Sequence, residues 1–274
     1  MSAPLRLLSP AAPADALPRQ ALPSRADLWT AESLARPDRP GLPTGHAALD
    51  AQLPGGGWPS AGLVELLQAQ PVRHEWQLLL PMLAAQVQAH HGPVVLVGSP
   101  PALGRQKPGA ALMPFGPALA AQGLPPERLL WVQAAEPAAR LWACEQALRC
   151  VDVVAVLAWL PQVRPDALRR LHLGAVDCGK PLFVLRPARA QLESSAAPLR
   201  LLLDGVDTLQ VQVLKRRGPP LAHTVRLPAR PARLAALLAA RSGAGPKTAG
   251  QKAAPVPPVQ TGQVSHALDR AVTA

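Results

Sequence analysis

Three short stretches carry residue types that could do chemistry: a glycine run at Gly55-Gly56-Gly57, paired imidazoles at His90-His91 and a cationic triplet at Lys215-Arg216-Arg217. Backbone amides of a glycine run can cradle phosphate, but a phosphate loop continues into Lys-Ser/Thr and a helix. Here Trp58-Pro59 follows, so the run reads as a tight turn. The two histidines precede Gly92 at the end of a helical pattern, where imidazole can satisfy terminal carbonyls, and metal ligation is not expected there. Ser99 is not set in a G-x-S-x-G elbow, and no pair of carboxylates shares an apolar pattern with a histidine, so hydrolase chemistry is not supported. Cys144, Cys150 and Cys178 are odd in number and match neither a zinc ligand pair nor a disulfide framework; they read as buried reduced thiols.

The cationic triplet belongs to a wider charge imbalance. The net charge is +11, which favours nucleic acid or another anionic partner. Arginine supplies most of it in a chain also rich in Ala and Pro, a bias that a GC-rich genome would also produce. With no Tyr and two Phe there is no material for an aromatic stacking platform on single strands. Hydrophobic residues make up 49% of the chain, enough for a core, yet no apolar stretch reaches the roughly 20 residues of a spanning helix. The proline-broken start MSAPLRLLSPAAPADALPRQ does not read as a secretory leader, and a cytoplasmic location is the expectation.

Three regions would position these residues. Residues 1–42 form a Pro/Ala/Arg-rich arm with one short helix near Ser24 to Leu34. Residues 43–228 alternate helical periodicity with short apolar runs, as an α/β sheet domain does. Strands are expected at Leu63–Leu67, Pro93–Val97, Leu129–Val132, Val151–Leu157 and Pro181–Arg186. Helices are expected at Trp76–His90, Pro117–Gln122, Pro137–Arg149 and Arg164–Asp177, the last with Leu168, Leu171 and Ala175 on one stripe. Val151–Leu157 has the composition of a central parallel strand, with Asp152 as a solvated residue at its beginning. Leu209–Lys215 and Leu221–Leu227 alternate with period two and predict an antiparallel hairpin at one end of the sheet. Residues 229–274 are a basic tail that cannot bury enough apolar surface to fold alone. Two amphipathic segments interrupt it, with Leu234, Leu237 and Leu238 in one and Val264, Leu268 and Val272 in the other; they are candidate partner-binding segments, or dock back on the core, or stay disordered.

The sharpest local signal is Thr44-Gly-His-Ala-Ala-Leu-Asp50, followed by Leu53-Pro-Gly-Gly-Gly-Trp-Pro59 and Gly62-Leu-Val-Glu-Leu66. This series resembles the entry of RecA-type ATPases into their first core strand. In those enzymes the strand runs into the phosphate loop, whose lysine and Ser/Thr hold nucleotide and magnesium. Here the matching stretch begins at Gln68; His74 stands where the lysine would be and Glu75 where the magnesium-binding hydroxyl would be, with no glycine left in the loop. Pro100 falls where those enzymes place a catalytic glutamate, and Leu157 where they place a metal-binding aspartate. The resemblance therefore implies a RecA-like P-loop NTPase-type core, a mostly parallel sheet flanked by helices, with a degenerate nucleotide site, no enzyme activity and no cofactor.

Within that group the stretches TGHAALDAQLPGGGWPSAGLVELL, ALAAQGLPPERLLWV, LWACEQALRC, VLAWLP, LRRLHL and SAAPLRLLL resemble the ImuA family over about residues 24 to 227. The resemblance implies a non-catalytic accessory protein of SOS-induced translesion DNA synthesis. It would act as adaptor for an ImuB-like Y-family polymerase homologue and RecA, with the error-prone DNA polymerase III alpha subunit as an indirect partner. A SulA-like cell-division inhibitor that binds FtsZ is the alternative, and an active DNA-dependent ATPase a third reading. Candidates for contact with single-stranded DNA are Lys215, Arg216 and Arg217 with Arg230, Arg233, Lys247 and Lys252, the alternative being a solvated turn and a solubilising tail.

Overall fold

The computed structural model describes residues 40–69, 74–100, 115–206 and 208–228, and residue 240. The chain divides into two units, 1–231 and 232–274, and the account below concerns the first. Its elements, in chain order, are α1 (Ala47–Asp50), β1 (Gly62–Gln68), α2 (Glu75–His90), β2 (Val94–Val97), α3 (Gly116–Ala120), β3 (Leu129–Val132), α4 (Pro137–Arg149), β4 (Ala155–Trp159), α5 (Pro165–Asp177), β5 (Pro181–Pro187), β6 (Leu199–Asp204), β7 (Thr208–Lys215) and β8 (Val225–Pro228). The strands form one eight-stranded mixed sheet in the order β3-β2-β4-β5-β1-β6-β7-β8, flanked by helices. The first six strands in sequence run parallel, while β7 and β8 are antiparallel additions at one edge.

Why the sheet takes this form follows from the side chains. Every residue of β1, β2 and β4 is buried, as parallel strands covered on both faces require. β7 instead alternates exposed Thr208, Gln210 and Gln212 with buried Leu209, Val211 and Val213, the pattern of a strand with one wet face. One face packs α2 through Leu78, Leu79, Met82, Leu83 and Val87, together with Trp58, which meets Phe183 edge-on at 5.4 Å between ring centroids. The other face packs α4 through Cys144 and Leu148, and α5 through Leu168, Leu171 and Ala175. Among the described residues no helix is long and apolar enough to cross a membrane.

The α/β organisation matches the expectation, with three differences in detail. The strand expected at Val151–Leu157 begins at Ala155 and ends at Trp159, because a turn closed by Val153 N–H to Cys150 O precedes it. Asp152 is exposed in that turn. The second hairpin strand begins at Val225 rather than Leu221, so β7 and β8 are joined by a long loop and the pairing runs only from Thr208↔Pro228 to Val211↔Val225. Third, β6 was not expected as a strand at all; it inserts between β1 and β7. The helix expected near Ser24 lies outside the described residues.

Candidate functional site

The junction between β1 and α2 is the natural place to look for ligand chemistry, since ligands of open α/β sheets sit beyond the carboxyl ends of the strands. Gln68 ends β1 and is buried, and residues 70–73 lie outside the described residues. His74 caps α2, and Glu75 is its first residue, with no exposed surface. The Glu75 carboxylate accepts the His74 amide at 3.3 Å. His74 Nε2 lies 2.9 Å from the carbonyl of Gly205, which can only accept, so this nitrogen carries the proton and ties α2 to the loop after β6. The positive end of the α2 dipole is therefore met by a carboxylate of the chain itself.

The motif that leads into β1 has a structural explanation. Pro81 lies inside α2 and has no N–H, which leaves the Gln77 carbonyl without its helical donor. His46 Nε2 approaches that carbonyl at 3.4 Å. Gly45 has φ +82, and a Cβ there would lie 2.4 Å from Pro81 Cβ, so only glycine passes. Thr44 is buried; its amide donates to Asp50 Oδ1 at 2.8 Å and its hydroxyl accepts the His46 amide at 3.0 Å. The series Thr44-Gly-His and Asp50 thus folds α1 over the proline of α2. The glycine run makes a turn, and a Cβ on Gly57 would meet the Leu42 carbonyl at 2.1 Å, where Leu42 and Trp58 exchange two backbone hydrogen bonds.

At the ends of β2 and β4 the expected positions are placed unequally. Pro100 is buried just beyond β2. Leu157 is not the last residue of its strand but its middle one, paired with Leu96 and Phe183, so Trp159 rather than Leu157 stands at the carboxyl end. This corrects the assignment of Leu157 to the end of the strand and follows from the later start of β4. Among the described residues Gln68 Oε1 and Trp159 Nε1 are buried without hydrogen-bond partners, which leaves polar capacity at this end of the sheet. Arg140, not anticipated from the sequence, reaches over the same edge, with Nε donating to Ala134 O at 2.7 Å and Nη1 3.5 Å from Trp159 O.

A buried charge network was also missed. Glu65 in the middle of β1 accepts Arg186 Nη1 at 2.7 Å and Arg200 Nε at 2.6 Å, with no exposed surface of its own. Arg186 also pairs with Glu193 at 2.5 Å, and Arg200 donates to Glu193 O and Ala190 O. Glu65 is thus buried between two guanidinium groups, with half-exposed Glu193 as the second carboxylate at the rim of the network. The sequence offers only a partial signal, three charged residues (Glu65, Arg186 and Arg200) within apolar runs, and not their pairing.

The cationic triplet sits at the far end of the sheet. Lys215 ends β7 opposite Arg200 in register and donates to Ser195 O at 3.0 Å; Arg216 is half-buried and Arg217 exposed. Arg230, Arg233, Lys247 and Lys252, and the apolar candidates Leu234, Leu237, Leu238, Val264, Leu268 and Val272, lie outside the described residues. Among the described residues no group of three or more His, Cys, Asp or Glu could hold a metal ion. Cys144 is buried, whereas Cys150 is exposed and Cys178 half-buried, which corrects the expectation of three buried thiols. The chain matches no protein-family model and no curated protein, so the functional argument rests on these residues.

Proposed function

We propose that the chain is a RecA-like, non-catalytic accessory protein of SOS-induced translesion DNA synthesis, an adaptor between an ImuB-type polymerase homologue and RecA. The observation that carries this reading is the junction of β1 and α2. A fully covered central strand is followed by a helix, the order found in a phosphate-loop protein, but Glu75 supplies its own carboxylate at the helix start and His74 bonds the loop after β6. Trp159 at the end of β4 offers no carboxylate for magnesium. The blocks that resemble the ImuA family fall largely in the elements of this sheet, and the basic tail supplies the partner-seeking segment.

The test is a tagged pull-down of the full chain from DNA-damaged cells of its host, beside a variant with Leu234, Leu238 and Leu268 changed to Asp. ImuB or RecA should be recovered with the native chain and lost with the variant. Enrichment of FtsZ in place of both would overturn the reading in favour of a division inhibitor. Magnesium-ATP should leave the melting temperature unchanged, and a concentration-dependent rise would sink the pseudo-ATPase assignment.

A further inference from the structure

At the amino-terminal end of the sheet, away from the β1–α2 junction, lies a cavity of about 520 Å³ between the glycine-rich turn, the last turns of α5 and the start of the β7–β8 loop. We propose that it is a docking site for an acidic, aliphatic peptide segment of a partner protein. The size suits a few side chains. Its lining is largely aliphatic, with Leu173, Val176, Pro198 and Leu199, and Leu173 and Val176 are 51% and 45% exposed on the half of α5 that faces away from the core. Apolar side chains left open beside a cavity mark an interaction surface.

The polar lining has one sign. Arg216, Arg217 and His172 face the cavity with Ser60, and among the described residues no Asp or Glu lines it. Arg216 is held in place, with Nε donating to Pro219 O at 2.7 Å and Nη1 to the carbonyl of Gln52, which leaves Nη2 without a partner among the described residues. A guanidinium already fixed loses little freedom on pairing with a carboxylate. His172 Nδ1 accepts the Leu63 amide at 3.2 Å, an amide at the start of β1 that β6 does not reach, so the imidazole proton sits on Nε2 as a further donor. Burial, and then the charge of Lys215, hold this imidazole below its ordinary pKa, in keeping with a neutral donor.

Carboxylate recognition above an aliphatic floor describes a peptide better than a nucleic acid. A single strand would need stacking faces, and among the described residues no Trp or Phe lines the cavity. The inference stands on the cavity alone and does not depend on the RecA-like reading.

The experiment is fluorescence anisotropy with the full chain and a short fluorescein-labelled peptide alternating aspartate and leucine. Arg217→Glu and Leu173→Asp, both at exposed side chains, are compared with the native protein, and oligothymidylate serves as competitor. The native chain should bind the peptide, each variant should weaken it by about tenfold or more, and oligothymidylate should not displace it. Absence of binding, or equal binding by either variant, overturns the proposal. So does displacement by oligothymidylate with Leu173→Asp silent, which would make the cavity a phosphate surface.

Discussion

Replacing Glu65 with alanine strands two guanidinium groups in the interior. Arg186 and Arg200 expose only 1% and 9% of their side chains, and Glu65 gives each a charge-assisted hydrogen bond, at 2.7 and 2.6 Å. Without it Arg186 keeps Glu193, whose side chain is 48% exposed and whose attraction is screened by water. Arg200 keeps two carbonyls, which satisfy donors but not charge. Breaking a buried ion pair from one side costs about 3–5 kcal/mol, and two charge-assisted bonds at about 1.5–3 kcal/mol each give the same range. With a urea slope of about 2 kcal/mol per molar, the unfolding midpoint should fall by roughly 2 M. Tryptophan fluorescence reads this, since Trp58 and Trp159 are buried. A midpoint shift below about 0.5 M would refute the reasoning. The triple change Glu65→Leu, Arg186→Met, Arg200→Leu should recover most of the loss, because apolar replacement removes the stranded charges together.

Two further outcomes follow from titrating groups. Burial, reinforced by neighbouring Glu145, pushes the Cys144 thiol up to about 12, so iodoacetamide at pH 8 should modify exposed Cys150 and spare Cys144 in the native chain, read by peptide mass spectrometry. Alkylation of Cys144 at the rate of Cys150 would contradict its burial. His172 is held below its ordinary value of 6.5 in the folded chain by burial and by Lys215, so the unfolded chain takes up its proton first. Its contribution is therefore complete above about pH 6.5 and declines as pH falls below it, and melting temperature should drop from pH 7 to pH 5 more steeply in the native chain than in His172→Gln. Parallel slopes would remove His172 from the account.

The periodic elements were legible because their physics is local. α4 and α5 take the expected lengths to within one residue, and Leu168, Leu171 and Ala175 form the buried stripe. β6 was illegible because its own pattern, Leu-Arg-Leu-Leu-Leu-Asp, buries an arginine that only Glu65, far away in sequence, makes tolerable. The start of β4 was misjudged for a similar reason. Val153 and Val154 are as apolar as a strand requires, but the turn at Cys150 closes first, and the ladder with β2 begins at Ala155. At the candidate site the residue types His74 and Glu75 were readable, whereas the bond from His74 to Gly205 depends on the placement of β6. The cavity went unseen because it gathers the turn near Gly57, α5 and the β7–β8 loop, which no spacing rule connects.

The sheet order also has a bearing on how the chain is made. β1 sits in the middle of the sheet, yet both its neighbours come from the far end of the domain: Gly62 pairs with Pro181, and Val64 with Leu199. At about 5–20 residues per second, β1 leaves the ribosome on the order of ten seconds before either partner. Through that interval its buried faces, Glu65 included, lack the strands that will cover and pair them, and closure of long loops must precede the pairing that rewards it. Slow assembly and dependence on chaperones during synthesis are the natural cost of placing the first strand at the centre.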